Sequence, residues 1–231
     1  LTFTGTATQA QYQSLLDSVK FSNSRDDLAG GARNVYWSVK DASGATSNEP
    51  LSRLNVTRYN DAPVLADTTL NLTTIQPTTA ETQPSGPVGV LVSSLVGGVT
   101  DGDGTTVAKG IAIIAANDSL GKVFFSVNNG TSWFSPVGSI SSNAALLLKA
   151  DATTRVYFRP NAGVEGNIAD ALTIRAWDTT DNKSSLVSNN VTLHAIIATG
   201  DTTPYSDTTD MVALSVLTTA SAGLSGTVAA E

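Results

Sequence analysis

The sequence predicts an all-β protein made of two β-sandwiches in tandem. Three observations carry this. Short runs of alternating apolar residues recur along the chain, with Gly, Asn, Asp, Ser and Pro between them. The pattern of the first run of strands returns later in the chain. A stiff joint, Asn60-Asp61-Ala62-Pro63, stands between the two. The expected division is residues 1–60 for the C-terminal part of a first sandwich, 61–217 for a second, and 218–231 for a tail.

Taken in order, Thr8 to Val19 places Ala10, Tyr12, Leu15, Leu16 and Val19 on one side of a short amphipathic helix near residues 8–18. Val19 to Ser22 alternates as a strand does. Asn34 to Lys40, with Val35, Trp37 and Val39 on one face, predicts a strand, Asp41-Ala42-Ser43-Gly44 a turn, and Pro50 to Thr57 the return. Pro63 fixes its own φ and biases Ala62 to an extended conformation, so the chain leaves the first unit without a tight turn. Beyond the joint, Thr68 to Leu72 reads as a strand, and Val88 to Val99 as a strand or a short helix. Further strands are expected at Gly110–Ala116, Lys122–Val127, Ala144–Leu148, Arg155–Phe158, Leu172–Trp177, Leu186–Ile197 and Met211–Leu217. Asn129-Gly130 is a hairpin turn signal.

A gap-free shift lays Val19 on Val156, Phe21 on Phe158, Val35 on Leu172 and Asp41 on Asp178. Tandem modules give such a repeat. The same shift lays Leu1 on Gly138, deep inside the second unit. The first sandwich is therefore expected to be incomplete at its N-terminus, with an apolar face and an open edge.

Composition narrows the function. The net charge is −7 and charged residues make up 14% of the chain, which argues against nucleic acid, whose binding requires a basic face. The apolar content of 41% argues against a disordered chain. There is no Cys, hence no disulfide and no thiolate metal site. No apolar run approaches the roughly 20 residues of a membrane span, so membrane insertion is not expected. The opening residues carry no signal-peptide pattern, so export is expected to be directed from elsewhere in a precursor or by a leader already removed. His194, the single histidine, reads as a packed or exposed strand residue. No nucleophile–base spacing or phosphate loop accompanies it, and no enzyme activity is expected. Asp101-Gly102-Asp103-Gly104 begins like an EF-hand loop, but its twelfth position is Ala112 where a Glu is required.

Several motifs together are similar to one family. Gly5-Thr6-Ala7-Thr8, Asp41-Ala42-Ser43-Gly44-Ala45-Thr46-Ser47 and Asn60-Asp61-Ala62-Pro63 in the first unit resemble the cadherin-like and immunoglobulin-like repeat modules of large repetitive bacterial surface proteins, the RTX-type adhesins. In the second unit, Phe125-Ser126-Val127-Asn128-Asn129-Gly130-Thr131-Ser132-Trp133, Asp151 to Pro160 and Arg175-Ala176-Trp177-Asp178 resemble a sister module. The resemblance spans about residues 1–217 and implies a secreted or cell-surface protein with structural or adhesive roles, often calcium-dependent. In a cadherin-type arrangement the joint would collect oxygens from Asp26 and Asp27, from Asn60 and Asp61 in the linker, and from Asp101, Asp103 and Asp178 in the following module. Calcium is the expected ion, because a hard cation takes six to eight oxygens. Expected partners are other modules of the same protein, neighbouring copies, or cell-surface and matrix ligands. Two other functions suit the same sequence: a subunit of an extracellular filament or surface layer assembled by strand complementation, and a lectin-like module that binds carbohydrate or protein.

Overall fold

The computed structural model describes residues 2–24, 29–66, 68–77, 82–104 and 109–218. Among the described residues the regular structure is mostly β-strand, with one α-helix, and the chain divides into two compact units, Leu1–Arg58 and Tyr59–Glu231.

The first unit holds α1 (Gln9–Asp17) and an antiparallel pair, β1 (Gly31–Tyr36) and β2 (Leu51–Val56). Thr8 starts the helix. Its hydroxyl accepts from the Gln11 amide, while the Gln11 side chain accepts from the Thr8 amide, a reciprocal capping box. No residue of α1 is buried, so this cap is a main support of the helix. Thr8→Ala is expected to cost the helix about 1 kcal/mol. Loss of helical Cα shifts over Gln9–Asp17 would report it, and unchanged shifts would remove the cap's assigned role. Val19–Ser22 forms no strand, contrary to its alternation. Alternation specifies a strand only where a neighbouring strand accepts the backbone, and none lies beside this segment among the described residues. β1 begins and ends earlier than expected, and Trp37 to Lys40 continues only as far as a bridge between Lys40 and Thr46.

The second unit contains β3 (Leu70–Asn71), β4 (Val90–Leu91), a 3₁₀ turn (Val92–Leu95), β5 (Gly110–Ala116), β6 (Gly121–Ser126), β7 (Leu146–Lys149), β8 (Arg155–Pro160), β9 (Gly166–Trp177), β10 (Leu186–Val187), β11 (Asn190–Val191) and β12 (Asp210–Val216). The sheets are β3-β12-β9-β5-β7 and β4-β8-β6, with β10 and β11 as a separate hairpin. Among the described residues, β3 is the one strand that runs parallel to its neighbour, β12. The two larger sheets share one core. Ile111, Ile113, Leu146, Leu172, Ile174 and Val212 come from the first, and Val123, Phe125, Val156 and Phe158 from the second.

Successive strand residues face opposite sides. Ala112, Leu147 and Trp177 therefore point away from that core and form a second cluster with Ala145, Ile196 and Tyr205. The long connection after β9 folds back to cover this outer face. That explains why β5 reads as continuously apolar: it is buried on both sides. Leu186–Ile197 is not one strand, as its composition suggested. Ser188 and Asn189 both take positive φ, 51° and 64°, and reverse the chain between β10 and β11. Asn129 and Gly130 do make a turn with positive φ at both residues. A Cβ at Gly130 would run into the Gly86 carbonyl, so glycine is required there twice over.

Candidate metal centre

The entry segment of the second unit is held by backbone pairing. Val64 and Thr100 exchange amide hydrogen bonds of 2.8 and 3.0 Å, which brings the turn at Asp101–Gly104 beside Asn60–Ala62. Asp101 accepts the Asp103 amide at 2.8 Å, and Asp103 accepts the Asp61 amide at 3.0 Å. Gly102 lies close against the Asp61 carboxylate: a Cβ added there would come within 2.9 Å of its Oδ2. On the other side, the Ala62 amide donates to the Asp201 carbonyl at 2.8 Å.

Asp178 follows β9 directly and is buried. Its Oδ1 accepts from the Thr180 amide and hydroxyl at 2.8 and 2.6 Å, and its Oδ2 accepts from Asn60 Nδ2 at 2.7 Å. The same amide group of Asn60 donates to the carbonyls of Thr203 and Asp61, each at 3.2 Å. Thr179, between these turn residues, sits at φ 66°. For a β-branched residue that conformation is strained, at a cost on the order of 1–3 kcal/mol.

Five of the residues expected at the joint are thus gathered at one place in the second unit: Asn60, Asp61, Asp101, Asp103 and Asp178. Asp26 and Asp27 lie outside the described residues. The electrostatics agree with the geometry. Burial, followed by the negative charges of Asp103, Asp178 and Asp61, pushes the Asp101 carboxyl above its ordinary range, against the lowering effect of the Asp103 amide.

These side chains are all hard oxygen donors, the chemistry calcium takes. As they stand, several of their oxygens accept N–H bonds, and among the described residues no three acidic, His or Cys side chains are set to hold an ion. Asn60 presents its amide nitrogen to three oxygens. Rotating that amide by half a turn would present Oδ1 instead and leave an all-oxygen set. Ala112, the would-be twelfth ligand of an EF-hand, is buried inside β5, as befits a strand residue.

Sequence reasoning missed the residues that hold this loop in place. Asp181 accepts Trp177 Nε1 at 3.0 Å and the Tyr205 hydroxyl at 2.6 Å, and Lys183 Nζ lies 3.2 Å from it. Partial burial opposes ionisation of Asp181, but the hydrogen bonds from Tyr205, the Lys183 amide, Trp177 and the Lys183 side chain outweigh it and hold its carboxyl below the ordinary value of 3.8. Its contribution to stability is therefore fully present above pH 3.8 and is lost as the pH falls below it. Asp181→Asn is expected to flatten the acid limb of the stability–pH curve, measured by urea unfolding between about pH 2 and 5. An unchanged limb would show that other carboxylates set it. The one sequence signal for this lock was the run of Asp and Asn after Trp177, which reads equally well as a solvated turn. His194 Nε2 contacts the Ser184 carbonyl at 3.0 Å, within the same connection.

No protein-family model, curated protein or solved structure matches the chain.

Proposed function

We propose that this chain is a structural or adhesive module of an extracellular repetitive protein, rod-like and stiffened by calcium at its inter-domain joint. In this reading the units are tandem cadherin-like or immunoglobulin-like β-sandwiches, supported in the second unit by two sheets over one core. The protein is secreted or displayed at a cell surface, and its partners are other modules of the same protein or neighbouring copies. No helix among the described residues is long and apolar enough to cross a membrane.

The observation that carries the reading is the convergence of Asn60, Asp61, Asp101, Asp103 and Asp178 from three distant stretches of sequence. Like charges held together cost stability unless something offsets them. A divalent cation would do so, and would tie the entry segment to the loops after Thr100 and Trp177. Calcium would supply charge neutralisation and a fixed coordination shell, with no bond made or broken. The test is small-angle scattering of the intact chain in calcium and in chelator. Shorter, more variable dimensions in chelator are expected. Identical dimensions, together with no heat of calcium binding by calorimetry, would sink the proposal.

A further inference from the structure

The second unit ties its first described strand to its last. β3 opens the unit in chain order and β12 closes it. Leu70 and Asn71 pair with Val212 and Ala213 in a parallel register. The match continues beyond those residues in both directions. Thr208 Oγ1 donates to the Leu65 carbonyl at 3.1 Å, and the Thr68 amide donates to Asp210 Oδ2 at 3.1 Å. The Leu72 amide donates to Ala213 at 2.8 Å, the Ile75 amide to Ser215 at 3.1 Å, and the Leu217 amide to Ile75 at 2.9 Å. Along this line the two sets of residue numbers rise together.

In a parallel pair, the start of one strand and the end of the other lie at opposite ends. The chain enters ahead of β3 and leaves after β12, so a pull from the two sides slides one strand along the other. Every cross-strand bond is then loaded at once. The β10–β11 hairpin shows the contrast. Leu186 pairs with Val191, which puts the two outer ends side by side, and a pull there opens the bonds one after another. Small slips of β3 along β12 give no relief. Leu65, Leu72, Val212, Leu214 and Val216 are buried in the shared core. A shift by one residue would turn a strand's apolar set away from it. β3 lies at the edge of its sheet, next to β12. Tension that enters through β3 therefore reaches the sheet across this pair.

We infer that the second unit is a tension-bearing module, and that this parallel clamp sets the force at which it unfolds. The inference goes beyond calcium at the joint and does not rest on it. The clamp starts at Leu65 and uses none of Asn60, Asp61, Asp101, Asp103 and Asp178.

The chain has no Cys, so introduced cysteines define the points of attachment. Single-molecule pulling on the full chain, in chelator, compares two directions. Val64→Cys with Thr218→Cys slides β3 along β12, and Val64→Cys with Thr209→Cys draws their adjacent ends apart. All three side chains are exposed, and both pairs lie within the second unit, so the first unit carries no load. At one loading rate the rupture force is expected to be severalfold higher in the sliding direction, because forced unfolding follows the unfolding rate along the pulled path. Ile75→Pro removes the amide that bonds Ser215. It is expected to lower the sliding force and to leave the peeling force unchanged, since peeling starts at the other end, at Leu65 and Thr208. Should that variant fail to fold, the two directions are still compared without it. Equal forces in the two directions would overturn the inference, and so would an equal fall in both with Ile75→Pro.

Discussion

Trp177→Ala is expected to lower the stability of the second unit by about 4 kcal/mol, near the top of the range for a buried aromatic. Trp177 is fully buried on the outer face of the large sheet, beneath Ile196 and Tyr205. Truncation leaves a cavity under the connection that covers this face, and it removes the indole donor of Asp181. Asp178, the next residue, sits at the start of that connection. The same substitution is therefore expected to disturb the Asn60–Asp178 contact as well as the core. Urea unfolding measures the first effect, and the Asn60 side-chain amide resonances report the second. Trp37→Ala is the control, since Trp37 is only partly buried and its indole bonds Ser52 at 2.8 Å in the first unit. Equal losses from the two variants would contradict the assignment of Trp177 to a separate packed cluster.

Calcium is expected to produce the second large effect. At about a hundredfold excess over its Kd, a ligand bound only by the folded state stabilises it by about 2.7 kcal/mol. For a unit of this size that raises the melting temperature by about 5–10 °C. Asp103→Asn keeps an oxygen that can accept the Asp61 amide but removes one of the charges raising the Asp101 pKa. The variant is therefore expected to be as stable as the parent chain, or slightly more so, in chelator, and to lose most of the calcium-induced rise. This crossover separates a cation site from a purely structural turn, in which the substitution would act equally with and without calcium. Matching melting curves for the parent chain in calcium and in chelator would leave the acidic residues as turn formers only.

Much of the strand pattern was legible because strand and turn chemistry are local. Gly110–Ala116 is a strand at the bounds its apolar run sets, and Asn129-Gly130 turns the chain because Asn and Gly tolerate positive φ. The spacing of Ala10, Tyr12, Leu15 and Leu16 announced the helix, while the Thr8–Gln11 capping box that starts it emerged only in the structure. Val19–Ser22 and Leu186–Ile197 were misread. A strand needs a partner for its backbone, and positive φ at Ser188 has no strong sequence signal. The parallel pairing of β3 with β12 joins residues at opposite ends of the second unit, and nothing in either segment announces it.

The candidate site divides in the same way. Asn60-Asp61-Ala62-Pro63 declares by itself a stiff, oxygen-rich segment, because proline restricts its own φ and the conformation of the residue before it. The bridge between Val64 and Thr100 and the turn after β9 decide that Asp101, Asp103 and Asp178 meet that segment. Asp181, Asp201 and Tyr205 matter only because the connection after Trp177 folds back across the sheet. Composition and local sequence determined which oxygens the chain carries and which segments are extended. Long-range burial decided which of those oxygens come together, since only the closing of a core fixes the distance between residues far apart along the chain.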